Sequence, residues 1–118
     1  MSLNARQIRE VDDLPLERVD VPEWGGEVFV RTMSAAERDA WEIKTYSERG
    51  DDEQANLTDF RTRLAILCVV DETGKPIFTE EDFVWLRLKS SLVISRIYDV
   101  ASRMNGLSKK DVDELTKK

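Results

Sequence analysis

Seven apolar residues in a row, Leu64 to Val70, run straight into Asp71-Glu72-Thr73-Gly74-Lys75-Pro76-Ile77-Phe78-Thr79. A stretch with no polar position has to be covered on every side, so it belongs in the core. It also has to stop. Pro76 has no backbone N–H and its ring blocks a continuing helix. Asp71 and Gly74 occupy the first and fourth positions of a type I turn, where those residue types are favoured. Thr79 then offers a hydroxyl cap, and Glu80, Glu81 and Asp82 face the positive end of the next helix dipole. Upstream, Leu57, Phe60, Leu64 and Leu67 repeat at helical spacing, with Cys68 and Val69 widening the stripe. This pattern predicts a helix from about Asn56 to Val70, because the periodicity begins well before the apolar run. The β-branched end and the Gly-Pro turn leave a strand open there.

The first third of the chain has a different rhythm. Leu16-Glu17-Arg18-Val19-Asp20-Val21 alternates apolar and charged residues, and Glu27–Met33 is a second β-rich run. Pro22-Glu23-Trp24-Gly25-Gly26 lies between them, and glycine supplies the positive φ a tight turn needs. A β-hairpin from about Leu16 to Thr32 is predicted. Ser34 with Glu37 is a capping box opening a helix. Its expected inward stripe is Ala36, Ala40, Ile43 and Ser47, with Trp41 beside it and an end near Arg49-Gly50. A short, almost wholly apolar helix follows Thr79, and a break is expected at Lys89-Ser90-Ser91. The next helix shows Val93, Ile97, Val100 and Met104 on one face and ends at Asn105-Gly106. Ser108 and Asp111 open a last helix with only Val112 and Leu115 as anchors, so residues 108–118 are expected to fray. Residues 1–13 lack an apolar face and read as a mobile arm or a turn or two of helix.

The expected fold is therefore α+β, an N-terminal β-hairpin followed by four to five mostly short helices, in one domain over residues 1–118. Its expected core is Val28, Ala40, Ile43, Leu57, Phe60, Leu64, Leu67, Leu86, Val93, Ile97 and Val100.

Chemistry-bearing residues are scarce. The chain has no histidine and one cysteine, Cys68, inside the apolar run, where it reads as a small buried hydrophobe. A cysteine nucleophile needs a neighbouring base, and the usual one is missing. Asp51-Asp52-Glu53 lacks the alternating oxygens, central Gly and distal Glu of a calcium loop. Glu80 and Glu81 sit where a helix start wants acids. No catalytic group, metal site or cofactor is expected. A net charge of -6, with Lys and Arg interleaved among acids, argues against nucleic acid. No run approaches the ~20 apolar residues of a membrane span, and the polar start is no signal peptide.

Charged residues make up 36% of the chain, which leaves a thin core and apolar surface to be covered by something else. Phe78, Trp85, Leu88 and Leu92 crowd two short segments, and Trp24 stands at a hairpin tip. These five residues are the expected protein-interaction positions. A chaperone or scaffold that binds proteins through apolar patches fits best. A small carboxylate-based enzyme or metal-binding protein around Asp71, Glu72, Glu80 and Glu81 is the weaker class.

"VVDETGKPIFTEEDFVWLRLKS", together with "VPEWGGEVFVRTMSAAERDAWE" and "MNGLSKKDVDELTKK", resembles the tail assembly chaperones of long-tailed, non-contractile, lambda-like siphovirus bacteriophages. The likeness runs from about Val19 to the C-terminus and consists of many moderately specific positions. It implies a non-catalytic protein of the host cytoplasm, absent from the mature virion. Such a protein coats the tape measure protein, keeps it soluble and helps recruit tail tube subunits. It also implies self-association into rings or polymers. A longer form of the same protein, made by ribosomal slippage, is implied as well. Lys109-Lys110 and Lys117-Lys118 are possible slippage points, though lysines there equally suit a helix C-terminus. A structural virion component, in the tail or connector, is the alternative.

Overall fold

The hairpin forms because its two strands alternate and its turn residues can reverse the chain. The computed structural model describes residues 1–47 and 53–107, and side chains at 1–45 and 59–107. In chain order the elements are α1 (Ala5–Glu10), β1 (Leu16–Val21), β2 (Gly26–Arg31), α2 (Ala35–Ser47), α3 (Glu53–Cys68), β3 (Val69–Val70), α4 (Phe83–Leu86) and α5 (Ser91–Met104). The architecture is α+β, as expected. The expected helix end at Arg49-Gly50, the acidic stretch from Asp51, the side chains of Ser47 and Leu57, and the last helix from Ser108 lie outside the described residues.

β1 and β2 pair antiparallel, with Leu16 opposite Arg31 and Val21 opposite Gly26. A single 3₁₀ turn, Pro22–Trp24, joins them and closes on Gly25. Gly25 takes φ +81, and its N–H donates to the Pro22 carbonyl at 3.0 Å. Val19 and Val21 point inward from β1, and Val30 from β2.

The apolar run resolves into both of its possible structures. It is helical to Cys68, then Val69 and Val70 leave the helix as β3. They pair antiparallel with β2, Phe29 opposite Val70 and Val30 opposite Val69. A third strand thus joins the expected hairpin, in the order β1-β2-β3. The following turn is tied by Asp71. Its carboxylate accepts from the Thr73 N–H (2.8 Å), the Thr73 hydroxyl (2.6 Å) and the Lys75 N–H (3.1 Å). The Asp71 backbone N–H donates to the Lys75 carbonyl at 2.8 Å, and Gly74 sits at φ +90.

α2 starts with the expected box. The Glu37 N–H donates to Ser34 Oγ (3.1 Å), and the Ser34 N–H donates back to Glu37 Oε1 (2.9 Å). Arg31 clamps the same carboxylate through Nη2, at 2.7 Å to Oε2. The inward face of α2 is not the expected one. Ala36 and Ala40 are exposed and Ile43 is 69% exposed, while Trp41 and Thr45 are buried. The reason is the ring of Trp41, which packs on Phe60 with centroids 5.2 Å apart. Such an aromatic pair contributes about 0.5–1.5 kcal/mol beyond the area it buries, a contact that an Ala-Ala-Ile stripe cannot make.

The core lies between the sheet, α3 and α5. Leu64, Cys68, Val69, Val93, Ile97 and Ala101 are fully buried there. Phe60 and Leu86 are also buried, and Val28, Leu67 and Val100 are half-buried against the core. The C-terminal end of α5 is locked by Asn105. Its Oδ1 accepts from the Met33 N–H (2.7 Å), and its Nδ2 donates to the Ala101 carbonyl (2.8 Å) and contacts Cys68 Sγ at 3.6 Å. One buried amide therefore joins the start of α2, the end of α3 and the end of α5. α1 opens with a capping box on Asn4 and buries none of its residues.

Candidate functional site

A second, smaller apolar cluster of Ile66, Leu86 and Ile94 sits beside the main core. Trp24, Phe78 and Phe83 pack against it, and above it the surface opens into a groove. The groove has a volume of about 360 Å³ and is lined by Glu23, Trp24, Phe78, Trp85, Leu86 and Lys89. Three elements build it. The hairpin turn delivers Trp24, the segment after the Asp71 turn delivers Phe78, and α4 delivers Trp85. Phe78 and Trp85 meet edge to face, centroids 5.9 Å apart.

Asp82 orients Trp85. Its Oδ1 accepts the indole Nε1–H at 3.0 Å, and its Oδ2 accepts the Thr79 N–H at 2.8 Å. Those donors, the Thr79 amide first, hold the Asp82 carboxyl below its ordinary range. The acids after Thr79 begin as a 3₁₀ turn, Glu80–Asp82, before α4. Asp82 thus serves as helix start and as anchor for an aromatic side chain.

At the other end, Glu23 is gripped by Arg96 of α5, at 2.9 Å to Oε1 and 2.7 Å to Oε2. That hydrogen-bonded guanidinium lowers the Glu23 carboxyl from 4.5 to about 2. Arg96 also donates to the Asp20 carbonyl at 3.3 Å, so the hairpin turn is fixed to α5.

The five expected interaction residues fall into two groups. Trp24, Phe78 and Trp85 converge on the groove. Leu88 and Leu92 do not line it, and are 78% and 75% exposed in and beyond the turn that joins α4 to α5. Val84, at 70% exposure, was not singled out, although it belongs to the same apolar helix start. Trp24 is half-buried under the groove, and Trp85, at 44%, is the most exposed of the three tryptophans. The hairpin tip folds onto the second cluster, so Trp24 is half-buried despite its place at the tip. Lys89, expected only as part of a helix break, also lines the groove. No local signal marks it, because its neighbours in the groove come from distant segments.

A separate groove of about 300 Å³ runs along α2, lined by Ala36, Ala40, Trp41, Lys44, Leu67 and Glu80 among others. Lys44 bridges it to Glu80 at 3.0 Å.

The groove offers aromatic and aliphatic surface flanked by one carboxylate, Glu23, and one ammonium, Lys89. Cys68 is buried, and burial pushes its thiol up to about 12, away from the reactive thiolate. Among the described residues no cluster of three His, Cys, Asp or Glu side chains is placed to hold a metal ion. Among them, too, no helix is long and apolar enough to cross a membrane.

Comparison with known proteins gives the same direction. The model of one family, described as phage tail assembly chaperone, matches residues 14–118. None of the curated proteins matches. Among solved structures the fold is similar to that of the tail assembly chaperone of bacteriophage HK97. The TM-score is 0.63 at 20% identity, over 84% of this chain and 94% of that one. Because the family match spans nearly the whole chain, from the hairpin through the groove-forming segments, this protein belongs to the phage tail assembly chaperone family.

Proposed function

We propose that this chain is a non-catalytic chaperone that covers apolar helical stretches of the tape measure protein, using the groove of Trp24, Phe78 and Trp85. The observation that carries this reading is an aromatic groove on a highly charged protein that also leaves Val84, Leu88 and Leu92 exposed along the α4–α5 segment. A tape measure protein is long and helical, and outside the tail tube its apolar faces are uncovered. An amphipathic helix laid in an aromatic groove buries such a face and leaves the acidic exterior of the chaperone in water. Single contacts of this kind are modest. Many copies along one target raise avidity while each stays displaceable by tail tube subunits.

The same reading includes self-association into rings or polymers, siphovirus tails as the setting and the host cytoplasm as the place of action. It also includes a longer form of the protein made by ribosomal slippage. It excludes the chain from the finished virion. Three measurements test it. Co-expression with the tape measure protein should raise the soluble yield of that protein and allow both to be purified together. Mass spectrometry of purified particles should lack this chain; its presence at structural copy number favours the virion-component reading instead. Mass spectrometry of the products of the native gene tests the longer form.

A further inference from the structure

The aromatic groove does not end at Trp85. Lys89 lines it and also lines a second depression of about 180 Å³, which holds Arg61 and Arg87 with the hydroxyls of Ser91 and Ser95. Three cations meet there, in a chain whose net charge is -6. Their neutralisation is incomplete. Arg87 pairs with Asp59 at 3.1 Å. Arg61 lies over the Tyr98 ring, 5.4 Å from its centroid, which orients the guanidinium, and it has no acid partner among the described residues. Lys89 makes no side-chain ion pair among the described residues. The acid at the groove, Glu23, is already held by Arg96. The result is an aromatic floor beside positive charge that the acids among the described residues match only in part.

Resting on the groove as the docking site, we propose that the segment it receives is an amphipathic helix carrying carboxylates beside its apolar anchor, and that Lys89 and Arg61 select it. Aspartate or glutamate three or four residues from an apolar anchor shares its helix face, so one ligand helix can reach both depressions. Charges at the rim of an apolar contact act mainly on partner choice and association rate. A second copy docked face to face through this patch brings cations against cations, which disfavours symmetric self-pairing there. A nucleic-acid backbone needs a longer track of cations than this pocket offers within an acidic chain.

Two fluorescent helical peptides of roughly 18 residues test the proposal, with the same apolar face and either Glu or Lys on its flanks. Each is titrated into the full chain by anisotropy at about 50 mM and about 500 mM salt. The overall negative charge favours the Lys peptide, so a local preference for the Glu peptide runs against the global field. The expected result is about fivefold tighter binding of the Glu peptide at low salt, falling below about twofold at high salt. Lys89→Glu and Arg61→Glu, each with an unchanged circular dichroism spectrum, should abolish or invert that preference. Trp85→Ala should weaken both peptides alike. Equal binding of the two peptides that is still lost in Trp85→Ala overturns the charge selection while leaving the groove intact. Preference for the Lys peptide, or tighter binding of an oligothymidylate than of the Glu peptide, also overturns it. Binding of neither peptide removes the groove reading and the proposal together.

Discussion

Asn105→Ala should damage this fold more than any other polar substitution among the described residues. Asn105 is 8% exposed, and its amide satisfies partners on three elements. The key loss is at Met33, whose N–H donates to Asn105 Oδ1 at 2.7 Å at a buried position. Stranding a buried donor costs about 1–3 kcal/mol. The Ala101 carbonyl is less affected, because it also accepts the Asn105 backbone N–H at 3.0 Å. The vacated volume beside Cys68 adds a cavity cost, and a total loss of about 2–4 kcal/mol follows. Urea denaturation followed by circular dichroism measures it, with Leu92→Ala, at a 75% exposed position, as a control within about 0.5 kcal/mol of wild type. If Asn105→Ala unfolds within about 0.5 kcal/mol of wild type, the amide does not join the three elements as described.

Other outcomes follow from the same geometry. Trp41→Ala should cost about 3–5 kcal/mol while Ile43→Glu changes stability by less than about 0.5, and the reverse order would restore the expected α2 face. Gly25→Ala should cost about 1–2 kcal/mol through its positive φ alone, since no atom lies within 4 Å of an added Cβ. Cys68, buried with its thiol pushed up to about 12, should resist a thiol reagent at pH 8 until urea is added; rapid labelling of the folded protein would contradict the burial. Glu23 has a lowered folded pKa, so its pairing with Arg96 stabilises above the unfolded value near 4.5 and is lost as pH falls towards about 2. Glu23→Gln should therefore flatten part of the acid limb of the stability curve between those values and leave neutral pH little changed; an identical acid limb would contradict the pairing.

Local chemistry was readable wherever the partners are near in sequence. The Ser34–Glu37 box, the Gly25 turn, the Asp71–Gly74 turn and the helix end at Asn105-Gly106 all involve residues a few positions apart. Long-range choices were not readable. α2 carries two competing stripes, Ala36-Ala40-Ile43 and Trp41-Thr45, and only the position of Phe60 decides between them. β3 continues an unbroken apolar run, and its two-residue pairing with β2 spans some forty positions of chain. Asn105 read as a helix stop, yet its partners Met33 and Cys68 are 72 and 37 residues away. The groove divides in the same way. Surplus aromatics made Trp24, Phe78 and Trp85 visible, but their convergence, and the place of Lys89 between two depressions, depend on tertiary packing.

A Trp24–Phe78–Trp85 groove that holds apolar tape measure helices in solution should decide how much of that protein stays soluble. The most direct measurement is the soluble fraction of tape measure protein when it is co-expressed with this chain or with its Trp85→Ser, Leu88→Ser variant. The two exposed positions lie outside the buried core, so the variant should fold with a circular dichroism spectrum like that of wild type. Wild type should keep the tape measure protein soluble and copurify with it, and the folded variant should do neither. Equal solubility and equal copurification with the two forms would contradict it.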